Sequence, residues 1–244
     1  MNARGDRLEL AQRLANRGCL TDAALVLRLT PGVPALRARA ALALWAGDYA
    51  TAALCGRRLT ADRPQPGDWS ALAEALLGTG APEEALAAAA KGAHLAPRSA
   101  EARVTLGRCL LANGEALAAL HTLDTAWQLQ PTPSTQVEQA RALLALGRSA
   151  EALDACASAL AAGQRCAATH TAAVQALLEL GNTQAAIQWL QSHLGGAAVD
   201  PELGELLSEV LEVAGREEEA DRAEEAAEVA GQFQHGRGGP IDAQ

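Results

Sequence analysis

The sequence predicts an all-α fold built from repeated antiparallel helix pairs. Three observations carry that prediction: the alanine content, the scarcity of aromatic residues, and a glycine that returns at a nearly fixed period. Of 244 residues, 59 are alanine and six are aromatic, and 49% are apolar. Alanine is the strongest helix former because it loses no side-chain entropy on folding, whereas sheets favour aromatic and β-branched residues. The recurring glycines are Gly18, Gly47, Gly80, Gly114, Gly147, Gly181 and Gly215, spaced 29, 33, 34, 33, 34 and 34 residues apart.

Around each glycine the neighbours recur too. Five residues after it stands an alanine: Ala23, Ala52, Ala85, Ala119, Ala152, Ala186 and Ala220. With alanine near a quarter of the chain, seven hits at one offset arise by chance on the order of once in ten thousand. Four residues before it stands a leucine in every repeat but the second, where Ala43 takes the place. Seven before it the residue is small or modest: Ala11, Ala40, Ala73, Gly107, Ala140, Val174 and Ser208. Glycine tolerates the left-handed backbone that ends a helix and turns the chain. Each unit therefore reads as a first helix (A), a tight turn at the glycine, and a second helix (B), with small residues where the two approach. One pair cannot bury its apolar face alone, so neighbours must stack.

The repeats follow in order as approximately 4–32, 33–65, 66–99, 100–132, 133–166, 167–200 and 201–230, together one solenoid domain over 1–230. The first is short and ends at Pro31. The second, third and fourth close at Pro64, Pro97 and Pro131, each 17 residues after its glycine, where proline stops helix B. Gly56 and Gly92 fall inside B helices and weaken them by about 1 kcal/mol each relative to alanine. The sixth repeat ends in Gly195-Gly196-Ala197-Ala198, which reads as an inter-repeat turn. The seventh is strongly acidic, with Glu217, Glu218 and Glu219 at the start of its B helix, where negative charge suits the helix dipole. It reads as a polar terminal cap. Residues 231–244, with Gly236-Arg237-Gly238-Gly239-Pro240, read as a disordered tail.

A 34-residue helix–turn–helix period resembles the tetratricopeptide-repeat family, whose A helix carries W-x2-L-G-x2-Y and whose B helix carries a spaced alanine and a closing proline. Trp69, Leu72, Ala73, Leu76, Gly80, Ala85 and Pro97 carry the likeness best, followed by Leu106, Gly107, Leu110, Gly114, Ala119, Ala126 and Pro131. The resemblance spans residues 4 to about 230, as about seven degenerate repeats. The A-helix aromatic survives only as Trp69; Arg7, Arg103, Gln136, His170 and Gly204 replace it elsewhere. The resemblance implies a right-handed α-solenoid with A helices lining a concave groove, and a non-enzymatic scaffold or adaptor that binds proteins.

Carried over position by position, the groove rows give candidate partner-binding residues. The row ten before each glycine includes Arg37, Val104 and Val137; the row six before includes Glu74, Arg108, Arg141 and Gln175; the row three before includes Leu44, Leu77, Leu111, Leu144 and Leu178. Five leucines in one row make an apolar strip flanked by Arg108 and Arg141. The implied partner is a peptide or helix with apolar anchors and an acidic residue that the guanidinium groups hold bidentately. The alternative is that the leucines pack between A helices and the arginines pair with Glu74, Glu101 or Glu138. Lys91, the chain's single lysine, falls on a B helix, so a lysine clamp on a C-terminal carboxylate is not expected.

Charge separates along the chain: residues 1–63 sum to +5, 64–200 to −5 and 201–230 to −9, for −9 overall. No uniformly basic face serves nucleic acid, and stacking aromatics are few. The opposed ends allow a second role, self-assembly head to tail; a third is a client-specific chaperone or secretion and assembly factor. Nineteen arginines against one lysine, with so much alanine, is the usage of a GC-rich bacterial genome. Cys19, Cys55, Cys109, Cys156 and Cys166 form no C-x-x-C pair and no zinc spacing, and an odd count fits a reducing cytoplasm. Residues 1–17 have no apolar signal-peptide core, and no run of 18 apolar residues spans a membrane. No nucleotide, zinc-hydrolase or nucleophile-elbow motif is present, and the five histidines are dispersed. The expectation is no catalytic residue, no metal and no cofactor.

Overall fold

The structure, a computed structural model, describes residues 3–61, 64–194 and 201–235. Among the described residues all regular structure is helical: α1 (Ala3–Asn16), α2 (Leu20–Arg28), α3 (Val33–Trp45), α4 (Tyr49–Ala61), α5 (Pro66–Gly78), α6 (Pro82–Leu95), α7 (Ala100–Ala112), α8 (Ala116–Leu129), α9 (Pro133–Ala145), α10 (Ser149–Ala161), α11 (Ala167–Glu179), α12 (Thr183–Leu194), α13 (Pro201–Val213) and α14 (Glu217–His235). They pair consecutively as A and B helices. Met1–Gln130 and Pro131–Gln244 make two compact units, which hold α1–α8 and α9–α14.

The turns are one motif used seven times. All seven periodic glycines have positive φ, between 71° and 81°. At Gly114 the glycine N–H donates to Leu111 O at 2.9 Å and the next N–H, of Glu115, reaches back to Leu110 O at 2.9 Å. The same two bonds recur at every turn and satisfy the last carbonyls of helix A. The residue after the glycine also starts helix B: its carbonyl accepts the N–H of the alanine four residues on, as Glu115 O accepts from Ala119 at 2.9 Å. That leaves no slack in the turn, and it points the alanine inward. All seven alanines are at most 1% exposed.

Helix ends follow local chemistry. Pro64, Pro97 and Pro131 lie just beyond α4, α6 and α8. Where the closing proline is absent after α10, Gly163 takes φ 92° and repeats the double carbonyl bond, to Leu160 at 2.9 Å and from Gln164 to Ala159 at 3.0 Å. Ser99 Oγ accepts from Ala102 N–H at 3.2 Å and Thr132 Oγ1 from Thr135 N–H at 3.3 Å, capping α7 and α9. The last helix continues through Gly231 to His235, so five residues of the segment expected to be disordered are helical. The turn expected at Gly195–Ala198 and residues 236–244 lie outside the described residues.

Packing within each unit rests on small side chains. An alanine buries little more than one methyl, on the order of 0.8 kcal/mol, so stability comes from number and close approach. In Met1–Gln130 a core of Ala43, Ala52, Leu72, Ala73, Leu76, Ala85, Ala89 and Cys109 ties α3 to α7. In Pro131–Gln244 Val174, Ile187, Leu190, Leu207, Val210 and Leu211 form the corresponding core. Gly56 is not a simple weakness in α4. A Cβ there would sit 3.0 Å from Leu72 Cβ and 3.1 Å from its Cα, so glycine is what lets α4 lie against α5. In each unit every helix packs on the next, and each A helix also touches the next A helix. Among the described residues no B helix touches another B helix within a unit. The A helices therefore form the inner layer of each unit and the B helices the splayed outer one.

Candidate protein-binding site

The A-helix surface of Met1–Gln130 carries two clefts. One, of about 430 Å³, lies between α1 and α3 and is walled by Leu8, Gln12, Ala15, Asn16, Ala41, Leu42 and Trp45, with Leu27 of α2 at its floor. Its origin is local. Helix α2 has nine residues, and the other B helices have 12 to 19. The short α2 carries α1 away from α3. Trp45 borders the opening and is 63% exposed. The second cleft, of about 320 Å³, lies over α3, α5 and the start of α7 and includes Arg37, Ala41, Leu44, Asp68, Glu74 and Glu101. Ala41 lines both, so the two clefts meet on α3.

The charged groups here are largely matched. Arg37 binds Asp68 through two parallel bonds, Nε to Oδ1 at 2.7 Å and a second nitrogen to Oδ2 at 2.9 Å. The Asp68 side chain is 4% exposed and also accepts the Gln65 N–H at 2.8 Å. The Arg37 bond, and to a lesser degree the Gln65 N–H, hold this carboxyl below the usual carboxylate range against the opposing effect of burial. Arg108 pairs with Glu74 at 3.1 Å, between α7 and α5. Glu101 is exposed and makes no hydrogen bond or ion pair among the described residues.

The sequence-derived candidates divide between the two units. In the first, Arg37 is committed to Asp68, Glu74 and Arg108 to each other, and Leu77, Val104 and Leu111 are half-buried; Leu77 packs on the α3–α7 core. In the second, Arg141 pairs with Glu138 at 3.2 Å, Gln175 donates to Glu179 at 3.1 Å, and Leu178 packs on the second core. Val137 and Leu144 are 4% and 7% exposed, because neighbouring helices cover them, and offer a partner little surface. Neither guanidinium of the expected acid clamp is left without a carboxylate. Trp45 stands out only in the structure, and Glu101, offered by the sequence as a partner for Arg108 or Arg141, pairs with neither. The usable signal for Trp45 was a single large apolar residue two before its glycine, a position held elsewhere by Asn16, Gly78, Ala112, Ala145, Glu179 and Val213.

Lys91 Nζ of α6 lies 4.8 Å over the ring of Trp69 of α5. Among the described residues no three His, Cys, Asp or Glu side chains could hold a metal ion. No helix there is long and apolar enough to cross a membrane. Burial pushes the Cys109 and Cys156 thiols up to about 11, which makes them inert.

Stacked helix pairs with an inner A layer and glycine-closed turns define an α-helical repeat protein. Residues 76–145 match the family profile described as tetratricopeptide repeat, and the 14 helices are consistent with about seven such repeats, degenerate in sequence. A thermophilic TPR protein of Thermus thermophilus is similar at 26% identity and TM-score 0.61, over 72% of this chain and 99% of that one. A tetratricopeptide repeat protein from Parabacteroides merdae superposes with TM-score 0.74 at 14% identity, over 95% of this chain and 94% of that one. A chain of the APC/C hetero-tetramer Cut9-Hcn1 has the same fold at TM-score 0.66 and 17% identity; 92% of this chain matches 46% of it. Among curated protein sequences none matches.

Proposed function

We propose that this protein is a non-enzymatic scaffold that holds a segment of a partner protein on its A-helix surface. The observation that carries the reading is the layering: in each unit the A helices touch and the B helices do not, which leaves an inner face with half-buried leucines in both units and clefts in Met1–Gln130. Such a face fits the way helices and extended peptides are recognised, through apolar anchors in a groove. Leu77 and Leu111 in one unit and Leu178 in the other supply that apolar surface. An acidic residue on the partner is no longer required, because Glu74 and Glu138 already neutralise Arg108 and Arg141. Five free thiols suit a reducing cytoplasm.

The test is site-specific photo-crosslinking in native lysate. A crosslinking residue replaces exposed A-face positions (Gln12, Arg141 or Gln175) or exposed B-helix positions (Leu54 or Leu117). Crosslinks to a partner from the A positions alone support the reading; crosslinks only from B helices reject it. A single stoichiometric partner would narrow the role to a client-specific chaperone or assembly factor. One observation favours a second reading, self-association head to tail: residues 1–63 sum to +5 and 201–230 to −9. Concentration-dependent sizing that collapses in high salt, with crosslinks between those segments of two copies, would establish it.

A further inference from the structure

The two clefts that meet at Ala41 differ in chemistry, and together they describe an occupant. The cleft between α1 and α3 has no charged lining residue; Gln12 and Asn16 are its polar side chains, and Trp45 stands exposed at its mouth. Its volume of about 430 Å³ lies in the range of sites that seat a ligand group. The adjoining cleft contains three carboxylates and one arginine, and Arg108 neutralises Glu74 from the side. Arg37 cancels Asp68. The charge left over is the exposed Glu101 carboxylate.

Several of the arginines that make residues 1–63 basic are engaged elsewhere. Arg7 donates to the Leu29 carbonyl, Arg57 pairs with Glu84, and Arg39 and Arg58 lie by Cys55 in α4. Their charge is also screened over roughly 10 Å in physiological salt.

We infer that the A-helix surface of Met1–Gln130 selects a partner segment bearing a bulky apolar side chain and, further along the segment, a lysine or arginine. The apolar group enters the α1–α3 cleft against Trp45 and Leu42; the cation meets Glu101. This rests on the scaffold reading and specifies its ligand.

The test is a random 12-residue peptide library displayed on phage and selected on the full-length protein. The consensus peptide is then titrated by fluorescence anisotropy against wild type, Trp45→Ala, Glu101→Lys and Leu111→Gln, each checked for native helicity. The expected consensus combines an aromatic or large aliphatic residue with Lys or Arg. Trp45→Ala should weaken it more than about tenfold, as for a central aromatic anchor. Glu101→Lys should weaken it about threefold, as for an exposed ion pair, and a peptide with Glu in place of its basic residue should regain affinity for Glu101→Lys. Acidic consensus peptides, or binding indifferent to both Trp45→Ala and Glu101→Lys, overturn the inference. If that indifferent binding is lost in Leu111→Gln, the scaffold reading stands without it. Absence of any enriched peptide sensitive to these three positions overturns both.

Discussion

Arg37 looked like a groove residue in the sequence and is a structural tie in the fold, and this gives a quantitative prediction. Its bidentate bond holds α3 to α5 through a carboxylate that is only 4% exposed. Removing one partner of a fully buried pair costs about 3–5 kcal/mol. Arg37 is 34% exposed, so solvent screens part of the interaction, and the Gln65 N–H continues to satisfy Asp68. Arg37→Met should therefore cost about 2 kcal/mol. Urea unfolding followed by circular dichroism would show this as a midpoint shift on the order of 1 M. The double variant Arg37→Met/Asp68→Asn should recover about half the loss, because no ionised carboxylate is left stranded. The pH dependence has a definite sign. Asp68 has a depressed pKa in the folded state, so its contribution is complete above the unfolded value of about 3.9 and disappears as pH falls through the lower folded value. Wild type should lose that increment only below about pH 4, and Asp68→Asn should lack this step. A loss under about 0.5 kcal/mol in Arg37→Met would show the pair to be an ordinary surface contact and refute the argument.

Other perturbations follow from the same geometry. Gly56→Ala should destabilise by about 1 kcal/mol despite the better helix propensity of alanine, because the new Cβ meets Leu72 at its backbone; a stabilised variant in urea unfolding would show that α4 and α5 can part freely. Gly147 has φ 71° and open space around a built Cβ, so Gly147→Ala should cost about 1 kcal/mol from backbone strain alone, and Gly147→Asn less, in the same assay. Burial raises the Cys166 pKa, but hydrogen bonds with Thr169 and Gln164 outweigh it and leave the thiol below its ordinary value, whereas Cys109 and Cys156 are pushed up to about 11. Native-state alkylation at about pH 7.5 with peptide mapping should label Cys19 and Cys166 promptly and Cys55, Cys109 and Cys156 only after unfolding.

The parts of this fold that could be read from the sequence are those with one chemical solution. A left-handed turn admits glycine, and a helix crossing without space admits alanine, so Gly114 and Ala119 declare themselves and their five-residue offset gives the hairpin. The charge network was less legible because its partners lie a repeat apart. Arg37 and Asp68 are 31 residues apart, and Glu74 and Arg108 are 34 apart. The sequence offered Glu74 and Glu138 as partners of Arg108 and Arg141, as found, but not Asp68 for Arg37; opposite charges about one period apart on A helices are the signal that pairs those two. The α1–α3 cleft was hidden for a different reason. It goes with an α2 about one turn shorter than α4 to α12, a length effect visible in the 29-residue first spacing but not attributable to any single side chain. Gly56 read as a weakness, since propensity scales describe an isolated helix and not its contact with Leu72.

The seven turns have a genetic consequence. Each repeat joins its own two helices through the same glycine, the same carbonyl bonds and the same sealed alanine, so the repeats form an alignment carried within one chain. Point substitution at those alanines adds volume where there is none to receive it, and so is selected against wherever the array must stay folded. Duplication or loss of a whole repeat by unequal crossing-over leaves both rules untouched at the new junction. The length of the array is thus freer to change than any one alanine within it, and the faces between those fixed points are free to drift toward new ligands.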